Sequence, residues 1–300
     1  MISPVSWILY GLYIVLLAGN CISCAINKKT DIKFMLYTSQ NPSEYEYLYV
    51  GDKNGLQQSN FNFTNPLVIY VHGFNELAIA EKQSSQKIKD AFLQSGDYNV
   101  LLIDWSKLAA APWYLSAVGN LPTIGKYVAR FIRFLMQQSY EVEKIHLIGF
   151  SLGAEIAGNI GRQLQKWNIT LPRITGLDPP WPLFHEGSRH RCLSYKVAEF
   201  VDVIHTDDCI LGNPKAMGHA DFYPNGGHAL QPGCVRRKKF PGGLLKIMSC
   251  SHQRAWKYFI ESIQRLFAFK ARRCKPSKSF STCSFDDNGE AFMGMTADKR

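Results

Sequence analysis

Strand signals alternating with helical ones predict an α/β fold, a mostly parallel central sheet flanked by helices on both faces. Three observations carry this reading. Apolar runs at residues 67–71, 100–103, 145–148, 173–177 and 200–204 have the length of buried strands. Between them, apolar residues recur at helical spacing, as in Ile124, Tyr127, Val128, Phe131 and Leu135 or Ala154, Ala157, Ile160 and Leu164. The runs lead into His72, Asp104, Ser151, Asp178 and His205, and in a parallel sheet the functional residues gather at the carboxyl ends of the strands.

In chain order, residues 1–25 carry no charged side chain, and the apolar stretch 5–17 has the length of a signal-peptide core rather than a membrane span. Ser23-Cys24-Ala25 offers small residues for cleavage, so a secreted chain is expected: residues 1–25 a signal peptide and 26–300 one domain, with an uncleaved anchor as the other reading. Tyr45, Tyr47 and Tyr49 alternate as in an edge strand. After residue 204, Asn225-Gly226-Gly227 marks a turn. The last helix begins near Gln253, with Trp256, Phe259, Ile260, Ile263 and Phe267 on one stripe.

Six of the eight cysteines follow residue 25, an even number suited to an oxidising compartment. Nearest-neighbour pairing, one of fifteen possibilities, gives Cys192 with Cys209, Cys234 with Cys250 and Cys274 with Cys283. A metal site is the rival reading, but no C-x-x-C pair lies beyond residue 25. Asn62 and Asn168 begin N-x-T triplets that accept glycans in the secretory pathway. The formal charge of +10 points to an anionic partner, and with no zinc finger, basic zipper or aromatic RNA-binding signature an anionic lipid interface or a glycan is expected rather than nucleic acid.

The chemistry centres on Gly149-Phe150-Ser151-Leu152-Gly153. In G-x-S-x-G a sharp strand-to-helix turn lifts the serine above the sheet, and the glycines remove Cβ atoms that would clash there. Ser151 is the candidate nucleophile. It needs a histidine to take its proton and a carboxylate to orient that histidine, in the chain order serine, acid, histidine. That order sets aside Asp104 and His146 and favours Asp178. For the base, spacing leaves His205, at a strand end, and His252, at the mouth of the last helix, equally placed. The oxyanion is expected to face the backbone N–H groups of Leu152 and Phe74.

His72-Gly73-Phe74, Asp104-Trp105, the Ser151 motif, Ile174-Thr175-Gly176-Leu177-Asp178-Pro179, the stretch from Phe200 to Thr206, the stretch from Gly218 to Gly227 and Cys250-Ser251-His252 together resemble the pancreatic-lipase family of secreted lipases and phospholipases A1. The resemblance implies an α/β-hydrolase fold, a Ser151, Asp178 and His252 triad, and no cofactor or metal. It implies that the segment between Cys234 and Cys250 is the lid. At fifteen residues this lid is shorter than in full triglyceride lipases and more like the insect and venom phospholipase A1 branch. The chain stops soon after Gly294, so neither a carboxy-terminal β-sandwich domain nor a colipase partner is expected.

Within the lid, Arg236, Arg237, Lys238 and Lys239 precede Phe240, Leu244, Leu245, Ile247 and Met248, a basic cluster followed by apolar residues that suits an anionic membrane surface. The leading expectation is hydrolysis of the sn-1 acyl ester of phospholipids. Neutral glycerides are the alternative substrate. A non-catalytic lipid-binding or yolk-type protein is the alternative of another class.

Overall fold

A computed structural model describes residues 26–181, 183–184, 192–208, 210–234, 249–274 and 285–299, without the side chains of 285–289. Six helices are used below: α1 (Lys28–Asp31), α2 (Lys53–Gln58), α3 (Ser84–Ser95), α4 (Tyr114–Gln137), α5 (Leu152–Gln165) and α6 (Arg254–Gln264). The strands are β1 (Lys33–Tyr37), β2 (Glu46–Leu48), β3 (Leu67–Val71), β4 (Asn99–Asp104), β5 (Ile145–Phe150), β6 (Arg173–Leu177), β7 (Phe200–Ile204), β8 (Ala220–Phe222), β9 (Lys270–Cys274) and β10 (Phe285–Phe292).

The first eight strands form one sheet in the order β2-β1-β4-β3-β5-β6-β7-β8. Strand β1 is antiparallel to both neighbours, and the pairings from β4 through β8 are parallel. The expected edge strand is β2, at the end of the sheet. Strands β9 and β10 pair separately as an antiparallel ribbon.

The pleat divides the core in two. In β3, Leu67, Ile69 and Val71 face one cluster with the apolar sides of α4 and α5, while Val68 and Tyr70 face the other, filled by α3 and α6. All five are buried, the pattern of a central parallel strand covered on both sides, and each of the four aliphatic side chains contributes roughly 1.5–3 kcal/mol of transfer free energy. Gly125 permits α4 to approach α5, because a Cβ there would lie 2.6 Å from the Asn159 Cβ.

The last helix ends earlier than its apolar stripe predicts. The stripe ending at Phe267 stops early: α6 closes at Gln264, and Phe267 lies beyond it at φ 64, largely exposed against the ring of Phe292. The apolar spacing continues past the helix, but the backbone turns away. Among the described residues no helix is long and apolar enough to cross a membrane.

Candidate active site

Ser151 stands between β5 and α5 at φ 53, ψ −125, a conformation rarely adopted by a non-glycine residue. The glycines around it make the turn possible. A Cβ on Gly153 would lie 2.1 Å from the Val71 carbonyl oxygen, and one on Gly149 would lie 2.3 Å from the Gly153 oxygen. The Ser151 N–H donates to the Leu177 carbonyl, which fixes the turn to β6.

Asp178 follows β6 directly, also at positive φ, and is fully buried. Its Oδ1 accepts the N–H of Thr206 at 2.7 Å and of Asp207 at 3.3 Å, so the loop after β7 clamps the carboxylate. Its Oδ2 lies 2.6 Å from His252 Nδ1. The Phe150 ring packs 4.7 Å from the His252 ring, and the neighbouring Ser251 hydroxyl accepts the Gln231 N–H, so β5 and the residue 231 turn fix the imidazole from two sides. Ser151 and His252 are each 8% exposed. The structure therefore puts Asp178 against His252 and leaves His205 elsewhere: His205 is buried, with Nε2 on Asp221 at 2.8 Å and Nδ1 on the Asn213 carbonyl.

Leu152 opens α5, where an N–H has no partner inside the helix. Phe74 lies one residue past Gly73, where a Cβ would come within 3.0 Å of the Ser151 Cβ. The loop between is held by Glu76, whose carboxylate accepts the Gly73 N–H and the Ser84 hydroxyl, and by Asn75, whose N–H donates to the Ala109 carbonyl. His72 and Trp105 support it from below. Their rings stack at 5.5 Å, and the indole N–H donates to the His72 carbonyl. Asp104, set aside as a catalytic acid, is held down to about 2: burial acts against its charge, and hydrogen bonds from His72 and Ser106 outweigh it.

Three carboxylates here were not singled out in the sequence. Asp207 is buried, with an oxygen within 4.8 Å of ligand atoms of both Asp178 and His252. Burial, reinforced by the charge of Asp178, pushes it up to about 8. Glu155 in α5 is likewise buried and pushed up by desolvation to about 8, while its Oε2 accepts the Leu193 N–H. Glu76 is the third. Only His-Thr-Asp in the chain stretch from Phe200 to Thr206 and beyond hinted at Asp207, as a polar triplet directly after a buried strand.

Cys234 and Cys250 are joined, as nearest-neighbour pairing expects, with Cα atoms 5.7 Å apart. Cys274 is disulfide-bonded, and Cys192 is partly buried. Cys209, Cys283 and the basic cluster Arg236 to Lys239 lie outside the described residues. Asn62 and Asn168 are both exposed.

The family model described as Lipase matches residues 21–300. The chain belongs to the lipase family. Human inactive pancreatic lipase-related protein 1 is 34% identical over 290 residues, covering 91% of this chain and 60% of that one. Lipase member H of Xenopus tropicalis is 33% identical, over 93% of this chain and 60% of its own length. Pancreatic triacylglycerol lipase of Cavia porcellus is 33% identical, over 90% and 60%. This lipase-family chain thus spans about 60% of the length of these relatives. One of them is named inactive, so membership alone does not make the chain a hydrolase.

Proposed function

We propose that the chain is a secreted serine esterase that removes the sn-1 acyl chain of phospholipids. The observation that carries the hydrolase reading is the buried Asp178–His252 pair, its imidazole packed on Phe150, the residue before a serine held at a strained strand-to-helix turn. In this reading His252 takes the Ser151 proton as Oγ attacks the ester carbonyl, while Asp178 holds the imidazole in the competent tautomer. The N–H groups of Leu152 and Phe74 receive the developing oxyanion. The tetrahedral intermediate collapses as His252 returns the proton to the departing alcohol. Water, activated by the same histidine, then releases the fatty acid from Ser151.

A lipid substrate is supported by exposed apolar side chains on loops that follow the strands: Leu77 and Ile79 after β3, Trp113 before α4, Trp181 after Asp178 and Leu230. Clustered exposed apolar groups at one end of a molecule suit a lipid surface. Phospholipid over neutral glyceride rests on the fifteen residues between Cys234 and Cys250, which leave room for a polar head group.

The test pairs the protein with Ser151→Ala on phosphatidylcholine with distinguishable chains and on a triglyceride emulsion. Release of the sn-1 chain is expected, falling by on the order of 10⁴-fold or more in the variant. Triglyceride hydrolysis alone would replace the substrate. Silence on both by correctly disulfide-bonded protein would favour the lipid-binding reading.

A further inference from the structure

The direction of the Phe74 N–H is set by its neighbours. It shares a planar trans peptide unit with the Gly73 carbonyl, so the two point opposite ways and fixing one fixes the other. The Gly73 oxygen lies 2.8 Å from His72 Nδ1, and since a carbonyl only accepts, the imidazole donates there. On one side of this unit the Gly73 N–H donates to Glu76 Oε2 at 2.9 Å, and on the other the Asn75 N–H donates to the Ala109 carbonyl at 2.7 Å. Asn75 stands at φ 57, the turn that brings Glu76 back to Gly73. His72 is built into the core by its stack on Trp105. Glu76 is therefore the anchor that one substitution removes by itself.

The far side of the same carboxylate is tied to α3. Glu76 Oε2 also accepts the Ser84 hydroxyl at 2.8 Å, and Oε1 accepts the Ser84 N–H at 3.4 Å. Ser84 is the first residue of α3, and Gln83 before it makes no side-chain cap. Glu76 thus caps α3 from across the loop, and the positive end of the helix answers its charge. That compensation matters, because a bare negative charge near the developing oxyanion would oppose it. Ile88 and Phe92 seat α3 in the core, so the Gly73 N–H is referred to a rigid element rather than to the loop alone.

We propose that Glu76 is a positioning residue for the oxyanion: by tying the Gly73 N–H to the start of α3 it sets the Phe74 N–H before substrate arrives. This rests on the hydrolase reading given above. Glu76 acts through Gly73 and exchanges no proton with the substrate. The role needs an acceptor at the place of Oε2 and not a charge, so a glutamine amide oxygen fills it. A mere helix cap would behave otherwise, lowering stability when removed and leaving the chemical step alone.

The experiment measures kcat and KM on dissolved p-nitrophenyl butyrate for the parent, Glu76→Ala, Glu76→Gln, Ser151→Ala and Asp52→Ala, together with hydrogen exchange across residues 72–79. Asp52 caps α2 through the Gly55 N–H, so its variant removes an acid and a helix cap away from the site. Glu76→Ala is expected to lower kcat at least about tenfold with KM within about twofold of the parent, and to speed exchange at Gly73. Glu76→Gln is expected to keep kcat within about threefold and the slow exchange, and Asp52→Ala to lower the thermal midpoint while keeping kcat. Parental kcat or exchange in Glu76→Ala would overturn the role while the hydrolase reading stood. A Glu76→Gln as impaired as Glu76→Ala would also overturn it, by placing the effect in charge. A parent no faster than Ser151→Ala would remove the reaction itself, and this role with it.

Discussion

Asp207 shows how much a single residue's meaning depends on its neighbours. In the sequence it is one aspartate after a strand. In the fold neither carboxylate oxygen has a hydrogen-bond partner among the described residues, and Asp178 lies beside it. A second buried charge next to the first is unfavourable, so the folded protein keeps a proton on Asp207 up to about 8. Unfolding returns it to the ordinary carboxylate range. The folded state therefore binds the extra proton between about pH 4 and 8, and stability falls as pH rises through that window. Asp207→Asn removes the titration. Its thermal midpoint is expected to decline less than the parent's from pH 4 to 8, and to exceed it near pH 8. Parallel curves would show that Asp207 is charged in the fold. Asp178→Asn, by contrast, is expected to keep the midpoint near the parent's while kcat falls about 10⁴-fold, because the imidazole loses its orienting acceptor.

At the level of elements, the strand-to-helix turn explains why the motif around Ser151 could be read at all. Its glycines answer to contacts rather than to taste: Gly153→Ala drives a methyl into the Val71 carbonyl, and the expected cost is about 3 kcal/mol in denaturant titrations, with activity lost alongside. A cost under about 0.5 kcal/mol would mean that the turn relaxes freely. Strands β3, β6 and β7 were legible to the residue, because a fully covered parallel strand leaves an uninterrupted apolar run. The end of α6 was not, since Phe267 keeps the apolar spacing after the backbone has left the helix. Glu155 was illegible for the opposite reason. A glutamate in the first turn of a helix reads as solvated, and only the packing of α5 under the segment at Leu193 buries it. His252 and His205 also could not be separated by spacing, since one opens an apolar helix, the other ends an apolar strand, and only their three-dimensional partners differ.

Across the whole molecule, one ion pair inside the sheet also holds the carboxy-terminal segment. Arg173 of β6 binds Asp202 of β7 at 2.9 Å through Nε and reaches the carbonyls of Gly294 and Met295, so the segment after β10 is fastened to the central sheet. Arg173→Met leaves Asp202 buried without its cation, and a loss of about 3–5 kcal/mol is expected. Arg173→Met/Asp202→Leu is expected to regain most of it, and failure to do so would place the stabilisation in the backbone carbonyl contacts. The bond between Cys234 and Cys250 has a different molecular consequence. With its ends held 5.7 Å apart, the intervening stretch is a cassette: a handful of residues could bridge the same gap, and sequences of other lengths could be spliced in without asking the eight-stranded sheet to move. On the hydrolase reading proposed above, transplanting this stretch between relatives is expected to exchange substrate preference, while Ser151, Asp178 and His252 keep their places.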